Sequence, residues 1–246
     1  MKILYGVVGE GMGHATRSRV ILDHLTAAGH DIHVVVSGRA HDYLKARFTG
    51  VHKIWGFTIA YEDGGVGKLN TVLQNLKGAI SGWPQNIRQY FELGGFKPDV
   101  VISDFESFSY LYAKNNFLPV ISIDNMQVIN RCQHPEDVLT GYHSDFELTK
   151  AIVKSKLPGA YHYLITTFFY PPIRKKRTTL LPSILRNEIV AAKREQGEHL
   201  LVYQTSESVK DLGSMLAKTG RVCKVYGYKR NLKEPEIDGK IHYMPF

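Results

Sequence analysis

Cysteine is scarce: Cys132 and Cys223 are the only two in 246 residues. They stand far apart and outside any metal-ligand spacing, which excludes a disulfide framework or structural zinc and points to a reducing, cytoplasmic compartment. No run of about 18 apolar residues occurs, so a membrane-spanning helix is excluded and any lipid contact is peripheral. The apolar opening Met1–Tyr5 stops at Gly6 and Gly9, too early for a signal peptide. Acidic residues are in deficit, 23 against 31 Lys and Arg, leaving +8 with His neutral. That excess favours phosphates or an anionic membrane surface as partners. Nucleic acid is not expected, because the helix-turn-helix, zinc-finger and aromatic-strand patterns of its readers are missing. The 11 histidines are scattered without a metal-binding cluster, so neither a metal nor another cofactor is expected.

What is present is an alternation of strand and helix. Lys2–Val8 reads as a buried strand, Thr16–Ala28 as a helix closed by Gly29, and Asp31–Ser37 as a second strand. The near-continuous valines of that second strand suit a parallel strand covered on both faces, so the opening is a βαβ unit. Ala40–Phe48 continues as helix and Val51–Trp55 as a short strand, while Tyr61–Gly67 is loop by composition. From Leu69 to Leu93 the pattern is helical, with an interruption expected at Gly82-Trp83-Pro84. Asp99–Ser103 and Val120–Ile123 are strands, and Tyr163–Phe168 reads as the last strand of the first domain.

The composition changes at Tyr170-Pro171-Pro172 and at the basic run Arg174-Lys175-Lys176-Arg177. We therefore divide the chain into residues 1–170, a linker and crossover helix over 171–197, and the opening of another domain over 198–246. A helix is expected over Ser183–Gln196, followed by a fresh strand, helix and strand at Leu200–Tyr203, Val209–Lys218 and Val222–Tyr226, with Ile241–Tyr243 beginning one more. About 50 residues are too few to close a doubly wound domain, for which about 100 is usual, so the second domain is expected to be incomplete in this sequence.

Gly9-Glu10-Gly11-Met12-Gly13-His14 joins the first strand to the first helix. Glycines there permit the turn and let a ligand oxygen approach exposed N–H groups. The spacing is G-x-G-x-G, and the second strand ends Ser37-Gly38-Arg39 without an acidic residue, so a dinucleotide fingerprint is not met; no Gly-Lys-Ser/Thr follows, so neither is a P-loop. His14 starts the helix, and a neutral imidazole can take the proton that an attacking sugar hydroxyl must shed. The bland alternative is a capping or backbone-bonding histidine. Asp104 and Glu106 follow a strand end, where sheet proteins of this type place ligand-contacting groups. Either orients an acceptor hydroxyl, or Asp104 caps the helix starting near Ser107. Asp124 and Asn125 after the next strand carry the same two readings.

The G-x-G-x-G-H loop with Ala15-Thr16-Arg17, the strand Lys97–Asp104 and the strand Leu118–Asp124 resemble the GT-B glycosyltransferases, and among them glycosyltransferase family 28. That family includes peptidoglycan lipid-linked N-acetylglucosaminyltransferases and diacylglycerol galactosyltransferases. The resemblance implies an α/β fold of two Rossmann-like domains with parallel sheets, an acceptor-side domain over 1–170 and a nucleotide-sugar domain opening at 198. It further implies transfer of a hexose or N-acetylhexosamine from a nucleotide-sugar donor, of the UDP type, to a glycan or lipid-linked acceptor, usually without a metal. The family's glycine-loop histidine, a proposed base, matches His14, and Gly11 and Gly13 fall on the acceptor side with Asp104, Glu106, Asp124 and Asn125. The family's second domain commonly opens with a Gly-Gly-Ser loop; here Gln204-Thr205-Ser206-Glu207-Ser208 stands in its place, and Thr205 and Ser206 offer N–H and O–H groups to a diphosphate.

Arg174–Arg177, beside Phe168-Phe169-Tyr170 and Leu180-Leu181, combines charge and apolar surface as an anionic membrane face requires, and a peripheral location on the inner face of a membrane would follow. A solvated linker is the competing reading. Two rivals to transfer remain at this level: a sugar-nucleotide epimerase of the same architecture, and a carbohydrate- or lipid-binding module without chemistry.

Overall fold

A computed structural model of the chain describes residues 1–9, 11–56, 61–62, 65–66, 68–204, 207, 209–229 and 231–245, with the backbone alone at 61–62, 65–66, 68–72, 74 and 76. The first elements are β1 (Lys2–Val7), α1 (Met12–Ala27), β2 (Asp31–Val36), α2 (Ala40–Lys45), β3 (Val51–Lys53), β4 (Tyr61–Glu62), β5 (Gly65–Val66) and α3 (Lys68–Gly94). Next come β6 (Val100–Asp104), α4 (Ser107–Asn115), β7 (Val120–Asp124), α5 (Gln127–Arg131), α6 (Glu136–Leu139), α7 (His143–Lys156) and β8 (His162–Thr167). The chain continues through β9 (Thr178–Pro182), α8 (Asn187–Ala191), β10 (Leu200–Tyr203), α9 (Leu212–Ala217), β11 (Cys223–Tyr226), β12 (Glu236–Asp238) and β13 (Ile241–Met244).

Two compact units result, residues 1–58 with 74–190, and residues 59–73 with 191–246. The first is built on a seven-stranded sheet ordered β3-β2-β1-β6-β7-β8-β9, with every pairing parallel. Alternate residues of β1 feed opposite faces. Ile3, Tyr5 and Val7 join Ala15 and Leu22 of α1 and Leu44 of α2, while Leu4 joins Leu93, Val101, Tyr112 and Leu157 on the other face. Central strands buried on both faces explain why β2 and β6 read as unbroken apolar runs. The order reverses between β1 and β6, and at such a switch point the carboxyl ends of the strands open a crevice. The first turn of α1, just past the loop that leaves β1, holds His14, and the end of β6 holds Asp104. The second unit carries a four-stranded sheet, β10-β11-β13-β12, antiparallel only between β12 and β13, around buried Cys223, Val225, Ile241 and Tyr243.

Four expectations are corrected. Tyr61–Gly67 is not plain loop, since Tyr61–Glu62 pairs antiparallel with Gly65–Val66; residues 63, 64 and 67 lie outside the described residues. Gly82-Trp83-Pro84 does not interrupt α3, which runs through Pro84. Tertiary anchors hold it there: the Asn86 amide accepts from Trp55 N at 2.8 Å and donates to Trp55 O at 3.0 Å, and Gln85 donates to Lys53 O at 2.8 Å. The strand His162–Thr167 is not the last of its sheet, because the segment after the basic run returns as β9 and pairs parallel with β8. The helix foreseen over Ser183–Gln196 shortens to Asn187–Ala191.

Candidate functional site

Two positions make the glycine loop possible. A Cβ on Gly9 would lie 2.1 Å from Ser37 O, so the loop passes against the end of β2 only with glycine, and Gly11 has φ +77° as the residue capping α1. Glu10 between them lies outside the described residues. Gly13 and His14 occupy the first turn of α1, which turns His14, Arg17 and Ser18 onto one face at spacings of three and four.

Asp104, the last residue of β6, meets that face. Its carboxylate is fully buried and surrounded by donors: His14 Nδ1 at 2.7 Å and Arg17 Nη2 at 2.5 Å from Oδ1, Arg17 Nε at 3.1 Å and Ser18 Oγ at 2.9 Å from Oδ2. Burial works to raise this carboxyl, but the hydrogen bond from His14 and the charge and hydrogen bonds of Arg17 outweigh it and hold Asp104 below the usual carboxylate range. An ionised carboxylate only accepts, so the pairing is satisfied by the Nδ1–H tautomer of His14 and leaves the lone pair on Nε2. The His14 side chain is 16% exposed, and its ring stacks toward Phe105. The arrangement is an imidazole backed by a buried carboxylate, with a second ring nitrogen that has no hydrogen bond among the described residues.

Glu106 takes the capping role that Asp104 might have had. Its Oε1 accepts from Phe108 N at 2.7 Å and its Oε2 from Ser109 N at 2.6 Å, closing the start of α4. Burial raises the Glu106 carboxyl despite these bonds. Asp124, the last residue of β7, is also buried, accepting from Ser122 Oγ at 2.7 Å and Gln127 N at 2.8 Å. Burial, with the charge of Asp104 added, pushes it up to about 6. Asn125 is exposed. Thr205 and Ser206 lie outside the described residues. Among the described residues no group of three or more His, Cys, Asp or Glu side chains could hold a metal, and no helix is long and apolar enough to cross a membrane.

Two cavities in the first unit flank the pair. One, of about 580 Å³, is lined by Trp55, Trp83, Ile87, Tyr90, Phe91 and Leu111, with Ser37, Glu106 and Lys156 among its polar groups. The other, of about 550 Å³, mixes polar and apolar walls, with Gly13, Thr16, Arg17, Asn125 and Arg186 as well as Phe168, Phe169, Leu185 and Ile189 among its lining. The structure therefore brings His14 into contact with Asp104, places Gly13 and Asn125 on one cavity and Glu106 on the other, and keeps Asp124 beneath the surface. Arg17 and Ser18 were missed as site residues, although their spacing from His14 on a helix was a usable signal. The aromatic cavity had no such signal, because Trp55 and Tyr90 meet only in the fold.

Comparison with known proteins follows this geometry. The family model described as glycosyl transferase family 1 matches residues 1–246. An uncharacterized glycosyltransferase of Methanosarcina mazei is 32% identical over 127 residues, 51% of this chain and 33% of that protein. The matched stretch thus spans about a third of the curated relative. Among solved structures, Arabidopsis thaliana UGT89C1 complexed with quercetin has a TM-score of 0.58 at 13% identity, covering 98% of this chain and 68% of that one. MurG of Acinetobacter baumannii has a TM-score of 0.50 at 13% identity, covering 92% of this chain and 58% of that one. Identities this low carry the fold alone, and that fold is the GT-B glycosyltransferase architecture.

Proposed function

The chain belongs to glycosyl transferase family 1, and from that membership we propose that it moves a hexose or N-acetylhexosamine from a nucleotide-sugar donor to a glycan or lipid-linked acceptor. The observation that carries this reading is the His14–Asp104 pair at the switch point of the sheet, with Nδ1 and Oδ1 2.7 Å apart. In the proposed step His14 Nε2 takes the proton of an acceptor hydroxyl as its oxygen attacks the anomeric carbon. The bond from that carbon to the diphosphate breaks, the nucleoside diphosphate leaves with the electron pair, and Asp104 stabilises the imidazolium that forms. In-line attack of this kind inverts the anomeric centre.

The aromatic cavity, with Glu106 in its wall, suits an apolar part of the acceptor, and Gly13 and Asn125 line the second cavity; Gly11, Asp104 and Asp124 are assigned to the acceptor side with them. A uridine-type donor is supported by a UGT89C1 structure complexed with UDP-L-rhamnose, a statement about that protein at 14% identity. Thr205 and Ser206 are the proposed diphosphate contacts. We assign residues 1–170 to the acceptor side, 171–197 to the linker and crossover, and 198–246 to the donor side. An anionic membrane surface fits the basic run 174–177, where Phe168, Phe169 and Tyr170 are 87%, 58% and 61% exposed.

The test is release of UDP from a panel of UDP-hexoses and UDP-N-acetylhexosamines by the natural protein, with product analysis with and without acceptor. His14→Ala is expected to lower transfer by about 10²–10⁴-fold with the fold unchanged. Near-normal turnover would remove the role of His14, and an altered donor sugar in the absence of acceptor would point to epimerisation instead.

A further inference from the structure

Asp104 holds His14 by one oxygen, but the larger share of its bonding goes elsewhere. The Arg17 guanidinium forks across both carboxylate oxygens, Nη2 to Oδ1 at 2.5 Å and Nε to Oδ2 at 3.1 Å, and Nη2 also stands 3.0 Å from His14 Nδ1. A bidentate fork fixes a carboxylate in its plane in a way one hydrogen bond cannot. It also brings a full positive charge within contact of the imidazole.

We propose that Arg17 is the positioning residue of the His14–Asp104 pair, fixing the plane of the carboxylate and setting its own positive charge against the imidazole so that His14 rests in its proton-accepting form. Without Arg17, a buried carboxylate against Nδ1 would favour the imidazolium, which has no lone pair to take a proton. Among the described residues, the other charged or titratable groups that act on this cluster are these. Asp124 on β7 lies close enough for its charge to act on Arg17, and Tyr5 on β1 faces Asp104 from below. Lys156 of α7 sits over the ring of Phe105, which itself stacks toward His14, and Glu106 is tied to the N-terminus of α4. None of these forks the carboxylate. The inference rests on the reading of His14 as a base, but its test does not need turnover.

The probe is diethyl pyrocarbonate, which reacts with the unprotonated imidazole; the extent of reaction at His14 is followed by peptide mass spectrometry across pH 5–8. His143, 54% exposed, serves as the internal reference. In Arg17→Gln the reaction at His14 in the acidic half of that range is expected to fall about tenfold relative to the unaltered protein, because the lost positive charge favours the protonated imidazole. Arg17→Lys, which keeps the charge and loses the fork, should stay near the unaltered profile, and His143 should not move in either. Loss of Arg17 leaves Asp104 buried without a counter-charge, so Arg17→Gln can fail to fold. Asp104→Asn compared with Arg17→Gln plus Asp104→Asn then reads the same charge, and the double variant should again react several-fold less at His14 in the acidic half of the range. Coincident profiles within either pair overturn the proposal. Absence of transfer in the unaltered protein would instead count against the proposed function and leave these profiles to stand by themselves.

Discussion

Replacing Asp104 with Asn exchanges one oxygen for an amide nitrogen at a place where every neighbour donates. Four donor atoms converge on the carboxylate, at distances of 2.5–3.1 Å. The amide offers one acceptor oxygen and two N–H groups, so at least one contact becomes donor against donor. Arg17, 13% exposed, is left without its counter-charge. Breaking a buried ion pair by removing one partner costs about 3–5 kcal/mol, and the residual exposure of Arg17 places the expected loss near the lower end, about 3 kcal/mol at pH 7. The pH dependence has a definite sign. Because the folded state holds Asp104 below its ordinary value of 3.8, its contribution is present at neutral pH and disappears as pH falls through the folded value. The gap between the two proteins should therefore narrow in acid. Both tryptophans, Trp55 and Trp83, lie in the first unit, so tryptophan fluorescence during urea unfolding follows that unit specifically. A loss below about 0.5 kcal/mol at pH 7, or a gap unchanged well below pH 4, would refute the claim that the cluster is an ionised, fully bonded unit.

Asp124→Asn should act in the opposite sense: the fold favours the protonated acid, so unaltered stability falls as pH rises from about 4 to about 6, by roughly 3 kcal/mol, and urea titrations of the variant should lack that slope. Gly82→Ala should cost about 1–3 kcal/mol by overpacking, because the new Cβ would lie 2.1 Å from Trp55 Cγ; a changed Trp emission maximum and a lower urea midpoint would report it, and an unchanged midpoint would mean that α3 is not held against Trp55. His33 and His52 are bonded at 2.9 Å, and burial holds both below the ordinary histidine value. Stability should consequently decline as pH falls below about 6.5, where the unfolded chain gains protons the fold refuses, and His52→Gln should flatten that limb in pH-dependent thermal melts.

The sheet was readable because its signal is local. Valine runs and Gly or Pro punctuation mark β1, β2, β6 and β7 within a residue or two, since each strand is buried on both faces and the pattern needs no distant partner. The errors fall where distant partners decide. Proline at 84 costs a helix about 3 kcal/mol on its own, yet the bonds from Asn86 and Gln85 to the end of β3, and Trp55 seated against Gly78 and Gly82, outweigh that local preference. The strand after the basic run was hidden similarly: Thr178–Pro182 is short and ends in proline, and pairing with β8 fixes it as a strand.

Site chemistry divides along the same line, and the two acidic residues after β6 show why. From sequence, Asp104 and Glu106 compete for one capping position, and aspartate is the better cap by propensity. What decides is strand geometry. Asp104 is still within the strand, directed by the pleat toward the α1 face, where His14, Arg17 and Ser18 wait at helical spacing; Glu106 falls one step beyond, at the residue that α4 starts from, with Phe105 between them at φ +55°. The longer side chain can fold back to reach both the second and third N–H groups of the helix, and so the weaker capping type takes the cap. The aspartate is thereby left free for the imidazole, and a strand end that looked like a structural turn becomes the acidic half of the site.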